Sequence, residues 1–347
     1  MKKKNTYLII IGIAVPVLIL AALAGWQKYS DFRRPNFVKE TVLLVYPATT
    51  AQDVLDQLVD SSEVKRPASL ERMFKRHGVQ DNIKPGRYVI KPEYSSRYFA
   101  LMLNNCWQTP AMLVLSGTIR TKTSLVKKIS SQMMADSASV AAGLKDSALL
   151  ASVGFDTTNV FSLFIPDSYQ MYWTASVQEI LVRMKKEYDT FWTDENKALA
   201  LKQGLSQAEV SVLASIVSGE TRYEPEMPSI AGVYLNRLHR GMKLQADPTV
   251  AYCFGYKLNR IMSKQTRFDS PYNTYRNYGL PPGPIAVPSK ACLNAVLHPD
   301  THAYLYFCAS PDFNGTHRFA ESYLAHQKNA RAFQRALTLR QNKSTKQ

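Results

Sequence analysis

The stretch "ASIVSGETRYEPEMPSIAGVYLNRL", from Ala214 to Leu238, begins as an apolar helix and ends that helix on a carboxylate, Glu220. Ile216 and Val217 lie four and three residues before Glu220, so a helix places all three on one side. A carboxyl group in apolar surroundings is poorly solvated, which raises its pKa. Such a group can donate a proton near neutral pH, and Glu220 is therefore a candidate general acid. The alternative is a solvated glutamate at a helix end.

Gly219 precedes this acid at a position where glycine costs a helix about 1 kcal/mol relative to alanine. We expect the missing side chain to leave room for a ligand beside Glu220. In "LQADPTVAY", Asp247 is a second acid, although Asp followed by Pro is also the ordinary start of a helix, with Asp247 at the N-cap and Pro248 at the first helical position.

A loop rich in aromatic, amide and proline residues follows, "PYNTYRNYGLPPGPIAVPS", residues 271–289. Flat aromatic rings stack on sugar faces, and amides bind hydroxyl and acetamido groups. The pattern favours a sugar-binding loop. The alternative is a surface loop stiffened by proline.

The N-terminus indicates an anchor. Three lysines precede an uncharged run from Tyr7 to Trp26, which is long enough to cross a bilayer as a helix. A cleaved signal peptide is the alternative, because Ala22-Leu23-Ala24 fits a cleavage site. Lysines at the extreme N-terminus favour a cytoplasmic N-terminus and an exported body.

The 347 residues carry a formal net charge of +16, which favours anionic partners. An exported body and the lack of a nucleic-acid motif argue against nucleic acid. Four cysteines, Cys106, Cys253, Cys292 and Cys308, have no metal or disulfide spacing, and we expect buried free thiols. His298 and His302 are four apart, but the intervening Pro299 argues against a metal pair on a helix. No cofactor is expected.

Periodicity predicts a mixed α+β chain. After the anchor, "TVLLVYP" predicts a strand, "TAQDVLDQLVD" a helix, "LERMFKRHG" a helix capped by Ser69 and ending at Gly78, and "GRYVI" a returning strand. "AMLVLSGT" and "SLVKKISSQM" predict a further strand and helix. Capping boxes at Ser176 and Ser206 begin a mainly helical part that ends near Leu238. Residues 272–288 form a loop, "YLYFCAS" a strand, and the tail from Glu321 a helix.

Several ordered motifs, "ASIVSGET", "AGVYLNRLHRGMKLQADPTVAY", "YNTYRNYGLPPGPIAVPS", "YLYF" and "HRF", closely resemble the YceG-like family of membrane-anchored endolytic peptidoglycan transglycosylases. The resemblance extends to the anchor, to a LysM-like early module and to "FIPDSYQM". It implies this division: cytoplasmic tail 1–6, transmembrane helix 7–26, linker 27–36, LysM-like module 37–105, a second α+β segment 106–165 and a mainly helical α+β catalytic domain with a short sheet, 166–340.

The resemblance also implies site roles. The family motif around the catalytic glutamate usually has two acids, and Ser218 replaces the first here, which leaves Glu220 as the acid of this motif. Roles near the substrate are implied for Asn236, Gln245, Asp247, Tyr272, Asn273, Thr274 and Tyr275.

The implied reaction uses one carboxyl group. Glu220 protonates the oxygen between N-acetylmuramic acid and N-acetylglucosamine, then accepts the proton of the muramyl 6-hydroxyl, which closes a 1,6-anhydro ring and ends the strand. The implied partners are peptidoglycan glycan strands, the cytoplasmic membrane and peptidoglycan synthases. Two alternatives stay open: a non-enzymatic wall-binding scaffold, and a hydrolase that leaves reducing ends.

Overall fold

The computed structural model describes residues 2–61 and 63–344, with side chains for 11–61 and 63–342. The described residues form two compact units. One comprises the chain up to Met112 together with Gln170–Thr174, and the other comprises Leu113–Tyr169 and the chain from Ala175 onward. The predicted mixture of helix and sheet with one N-terminal apolar helix is confirmed. The LysM-like identity and the finer domain boundaries stay predictions.

The first unit contains most of the N-terminal elements. Its helices and strands are α1 (Lys2–Phe32), β1 (Thr41–Val45), α2 (Ala51–Asp60), α3 (Pro67–Arg76), α4 (Val79–Asn82), β2 (Gly86–Ile90) and α5 (Ser96–Asn104). β1 and β2 pair antiparallel, with Thr41 opposite Ile90 and Val45 opposite Gly86. The predicted strand, two helices and returning strand are present in this order, with the short α4 as an additional helix before β2.

A single apolar core holds this unit together. Alternate residues of each strand point to one face of the sheet, where the apolar sides of the helices cover them. The fully buried members include Leu43, Val45, Tyr88, Ile90, Leu58, Leu70, Phe74, Phe99 and Leu103.

The prediction that Ser69 caps α3 is wrong. α3 begins earlier, with Pro67 at its first position, because the fixed φ of proline suits the start of a helix. Ser69 therefore lies inside the helix, where it is buried and its hydroxyl lies 2.8 Å from that of Ser96. The helix ends at Arg76, and Gly78 adopts the left-handed conformation that follows many helices.

α1 is exposed from Ile11 to Tyr29, and its part from Ile11 to Phe32 is long and apolar enough to cross a membrane. It continues past Trp26, the predicted end of the span. Its last turn joins the first unit through the buried Asp31, which accepts hydrogen bonds from Arg72 of α3 at 2.8 and 3.0 Å. Met1, part of the predicted cytoplasmic tail, lies outside the described residues.

The second unit is mainly helical. Its helices are α6 (Lys122–Ser130), α7 (Ser137–Gly143), α8 (Ser147–Ser152), α9 (Val177–Phe191), α10 (Asp194–Lys202), α11 (Gln207–Glu220), α12 (Met227–His239), α13 (Asp247–Cys253), α14 (Lys290–Leu297) and α15 (Tyr323–Ser344). Short 3₁₀ turns cover Val160–Leu163, Glu224–Glu226 and Gln265–Arg267. Its chain also contributes to β3 (Ala111–Val114) and β4 (Ser168–Met171), which pair, and to the antiparallel pair β5 (Tyr306–Ala309) and β6 (His317–Ala320).

α11 is the central helix of this unit. It begins with the predicted capping box of Ser206 and Glu209 and is buried continuously from Val210 to Val217. A helix that is buried on all sides needs neighbours on all sides, and α10, α12, α13 and α14 all pack against α11. This packing fixes the end of α11, where Glu220 lies.

Two buried serines of α11 have different bonding roles. The Ser215 hydroxyl donates to the carbonyl of Val212 at 2.7 Å and accepts the backbone N–H of Ile285 at 3.0 Å. It thereby ties the proline-rich loop to the central helix. The Ser211 hydroxyl donates only within its own helix, to the carbonyl of Gln207.

We therefore expect Ser215→Ala to lower the free energy of unfolding by about 1–3 kcal/mol, because the buried N–H of Ile285 loses its acceptor. Ser211→Ala is the matched control and should change it by less than about 1 kcal/mol. Chemical denaturation of both variants measures the difference. Equal losses would contradict the structural role given to Ser215.

Candidate active site

Glu220 is the last residue of α11, and its carboxyl group is half-buried at the floor of a groove. The hydroxyl of Tyr234 donates a hydrogen bond of 2.5 Å to its Oε1 atom. Tyr234 lies on α12 and is itself buried, so its hydroxyl is held in place by the core. The carboxyl group of Glu220 is therefore held in one orientation, and its role as the acid stays a prediction.

Burial raises the pKa of the Glu220 carboxyl to about 7. The hydrogen bond from Tyr234 opposes this rise because it stabilises the charged form. The nearby charge of Asp247 adds to the rise, and the charge of Arg237 opposes it. At neutral pH the group is thus divided between its protonated and charged forms, which suits a residue that first gives and then takes a proton.

Asp247 reaches this site through the packing of α13 on α11. The alternative interpretation, in which Asp247 caps the helix, does not hold: the N-cap is Ala246, Asp247 is the first helical residue and Pro248 the second. The carboxylate of Asp247 accepts a hydrogen bond of 2.6 Å from the hydroxyl of Tyr275. The Asp247 carboxylate therefore does not cap α13, and it lines the groove.

Gly219 serves this packing, and it also lines the recess along α13, beside Glu220. A Cβ atom at Gly219 would lie 2.5 Å from Cβ and 2.7 Å from Cγ of Pro248. Real side chains do not approach so closely, so α13 can approach the end of α11 only because residue 219 is glycine. The glycine thus brings Asp247 beside Glu220.

The predicted sugar-binding loop is divided between buried and accessible residues. Asn273 is 0% exposed and Thr274 2% exposed. The Asn273 amide donates to the carbonyls of Thr266 and Phe268, and the Thr274 hydroxyl accepts the backbone N–H of Ala246. These two side chains hold the loop, while the neighbouring Tyr275 lines the groove.

The remaining predicted residues differ in location. Gln245 lines the groove and has a left-handed backbone, with φ of 48°. Asn236 donates to the carbonyls of His302 and Tyr304 at 2.8 and 3.0 Å, so it braces α12 against the chain that leads to β5. Tyr272 packs on Tyr252, with ring centroids 4.7 Å apart, and is not among the residues that line the groove.

The groove consists of three recesses that share Glu220. The central recess, about 490 Å³, has Tyr234, Arg237, Gln245, Asp247, Tyr275 and His317 among its lining residues. A second recess of about 650 Å³ extends past Tyr223 and Phe313. A third, about 480 Å³, extends along α13 past Tyr256. A carboxyl group at the junction of three recesses can contact a long ligand that extends in more than one direction from it.

Sequence reasoning missed three residues here. Tyr234 and Arg237 are three apart on α12 and so share a face, and Arg237 is buried with donors to the carbonyls of Leu305 and Leu244. Two polar residues at this spacing on an apolar helix were an available signal. His317 lines the groove, and its Nδ1 lies 2.9 Å from Oε2 of Glu226, a long-range pair that local patterns do not reveal.

The cysteine prediction is only partly right. All four are free thiols, but Cys292 alone is buried, Cys253 and Cys308 are half-buried, and Cys106 is exposed. His298 directly follows α14, and His302 lies further along in a loop, so they do not share a helix face. Within residues 2–61 and 63–344, no group of His, Cys, Asp and Glu side chains is arranged to hold a metal.

Two variants should shift the Glu220 pKa in opposite directions. Tyr234→Phe removes the hydrogen bond that stabilises the carboxylate, so the pKa should rise above its present value of about 7. Asp247→Asn removes a neighbouring negative charge, so the pKa should fall. Titration of ¹³C-labelled glutamate carboxyl groups by NMR measures both. Shifts of the same sign would contradict the proposed electrostatics of the site.

Comparison with known proteins identifies the family. The model of the YceG-like family matches residues 43–332. A curated relative from Bacillus subtilis strain 168, named endolytic murein transglycosylase, is 37% identical over 154 residues, which are 44% of this chain and 42% of the relative. A relative of the same name from Streptococcus pneumoniae serotype 2 is 32% identical over 160 residues, 44% of this chain and 28% of the relative. The match thus spans less than half the length of these curated relatives.

The fold has a solved counterpart. The crystal structure of a putative yceG-like protein from Listeria monocytogenes aligns with a TM-score of 0.55 and 25% identity. The alignment covers 84% of this chain and 99% of the other. Since the family model spans most of the chain, from the first strand into the last helix, the protein belongs to the YceG-like family.

Proposed function

We propose that the protein is an endolytic murein transglycosylase that cleaves the bond between N-acetylmuramic acid and N-acetylglucosamine and leaves a 1,6-anhydro end. The observation that carries this proposal is the Glu220 carboxyl, which has a pKa of about 7, is oriented by Tyr234 and lies where three recesses meet. The names of the curated relatives support the same activity.

The reaction needs one group that gives a proton and then accepts another. Protonated Glu220 donates to the glycosidic oxygen as the bond to the muramyl anomeric carbon breaks. The carboxylate that remains accepts the proton of the 6-hydroxyl of the same sugar, whose oxygen attacks that carbon and closes the anhydro ring. Water is not consumed, and Glu220 ends protonated. A pKa near 7 allows both steps at neutral pH, because neither form is strongly favoured.

The neighbours of Glu220 have distinct roles in this proposal. Tyr234 orients the carboxyl group and stabilises its charged form for the second step. Asp247 raises the proton affinity of Glu220 for the first step, and the hydrogen bond from Tyr275 holds Asp247 in place. Gln245 and Tyr275 line the central recess and bind the sugars, and Asn236, Tyr272, Asn273 and Thr274 shape the surrounding structure.

Asp247 also favours a second candidate function. Ordinary glycosidases use two carboxyl groups, the second of which activates water or attacks the sugar. Asp247 and Glu220 line the same groove, so a hydrolase that leaves reducing ends would use the same site. The mass of the product separates the two, because an anhydro end is one water lighter than a reducing end. A wall-binding scaffold would yield neither product.

The cellular setting is part of the proposal. α1 anchors the protein in the cytoplasmic membrane with its N-terminus inside, and the two units act on the outer side on nascent strands. An anhydro end cannot be extended, so cleavage terminates strand growth, and peptidoglycan synthases are the expected partners. The LysM-like module at residues 37–105 precedes the catalytic domain at 166–340.

Glu220→Gln should fold normally and lose about 10²–10⁴-fold of its activity, because the change keeps the shape and removes the titrating proton. Digestion of uncross-linked glycan strands with mass analysis of the ends measures both the rate and the product. Glu224→Gln, an exposed glutamate in the next turn, is the matched control and should stay active. A Glu220→Gln variant with more than a tenth of the parental turnover would refute the assignment, and reducing ends from the parent would favour the hydrolase.

The membrane anchor predicts that the full chain stays in the membrane fraction after washing with high salt or alkaline carbonate, because the apolar surface of α1 is removed from water only in a bilayer. N-terminal sequencing of the purified protein provides the second measurement. A mature chain beginning at Gly25 would favour a cleaved signal peptide instead.

A further inference from the structure

The recess along α13 is lined by two arginines as well as by Glu220. Arg120 and Arg260 both line this recess of about 480 Å³, together with Tyr256, Leu258, Asn259 and Ile261. Within the described part of the chain, neither guanidinium forms an ion pair with a carboxylate. Glu220 and Asp247 also line this recess without pairing with either arginine, so both guanidinium groups keep their N–H donors for anionic ligand groups.

Arg120 is held in a geometry suited to binding. Its guanidinium carbon lies 5.2 Å from the centroid of the Tyr256 ring. A guanidinium that lies over an aromatic ring has one flat face covered. Its N–H groups point outward from its edge and remain available to a carboxylate. The ring is itself fixed, because the Tyr256 hydroxyl donates to the carbonyl of Ile285 at 2.6 Å. Arg120 is therefore pre-oriented, which reduces the entropy lost on binding.

We propose that this recess binds the acidic stem peptide carried by the muramic acid residues, so that the protein prefers glycan strands that still bear their peptides. This inference rests on the proposed function. Glu220 lines the same recess, so an occupant can be attached to the sugar whose bond is cut. The stem peptide supplies carboxylates for Arg120 and Arg260, amide groups for Asn259 and apolar side chains for the walls.

One other part of the substrate carries a carboxylate. When the peptide is absent, the lactyl group of muramic acid ends in a free carboxylate close to the sugar ring. That group offers one charge and little apolar surface. The recess offers two guanidinium groups and apolar walls from Leu258 and Ile261, which match a longer substituent with more than one carboxylate.

The test measures binding in the Glu220→Gln protein, which cannot turn the ligand over. Calorimetry compares three preparations of uncross-linked strands: peptide-bearing strands, the same strands with their peptide carboxylates amidated, and strands freed of peptide by an amidase. The protein variant is Arg120→Gln combined with Arg260→Gln. The matched control is Arg240→Gln, an exposed arginine after α12 that lines none of the three recesses.

The double variant should bind peptide-bearing strands at least tenfold more weakly and peptide-free strands less than threefold more weakly. The parent protein should bind amidated strands about as weakly as the double variant binds peptide-bearing strands. The double variant should bind amidated strands no more weakly than the parent does, because the effects of the two changes are not additive when the groups are in direct contact. Arg240→Gln should bind as the parent does. Arg120→Lys with Arg260→Lys keeps the charge and should restore part of the affinity.

Two results would overturn the inference. Equal losses on peptide-bearing and peptide-free strands would show that the arginines support the fold or the glycan, and a larger loss on peptide-free strands would identify the lactyl carboxylate as the ligand. The proposed function is tested separately by the products of glycan cleavage by the parent protein, which has both arginines and Glu220. Anhydro ends with unchanged binding would refute this inference alone, and selective binding without anhydro ends would refute the function alone.

Discussion

The hydrogen bond from Tyr234 to Glu220 is the interaction on which the site depends. Burial favours the protonated form of Glu220, whereas the proposed reaction also needs the charged form as a base. The hydrogen bond stabilises the charged form and limits the rise of the pKa to about 7. It is possible because α11 and α12 pack closely at the point where α11 ends. The core of the second unit therefore sets the proton affinity of one carboxyl group.

Local patterns were sufficient for much of the fold. The two capping boxes, the strands of the first unit and the end of α11 at Glu220 all follow from residues a few positions apart, and each agrees with the structure. Ser69 was misassigned because Pro67, two residues earlier, is the stronger helix-start signal. The apolar surroundings of Glu220 were predictable because its buried neighbours Ile216 and Val217 are local, at spacings of four and three residues.

The rest of the site depends on residues that are distant in sequence, and local patterns cannot reveal them. Tyr275 reaches Asp247 across 28 positions, and His317 reaches Glu226 across 91. Gly219 shows why the chemistry of a residue alone is incomplete. Its missing side chain suggests space for a ligand, and Gly219 does line the recess along α13, but the position of its absent Cβ atom is occupied by Pro248 of another helix. Only the packed structure distinguishes a cavity from a contact.

This packing also explains how one site can combine opposite electrostatic effects. The contact between Gly219 and Pro248 brings Asp247 of α13 close enough to raise the proton affinity of Glu220. Tyr234 and Arg237, which lie on α12, lower that affinity. A bulkier residue at position 219 would displace α13 and weaken only the first effect. Glu220 would then become more acidic without losing its hydrogen bond. In the proposed reaction, the balance between the two proton steps is therefore set by the distance between α11 and α13, a property of the helix pair rather than of the acid itself.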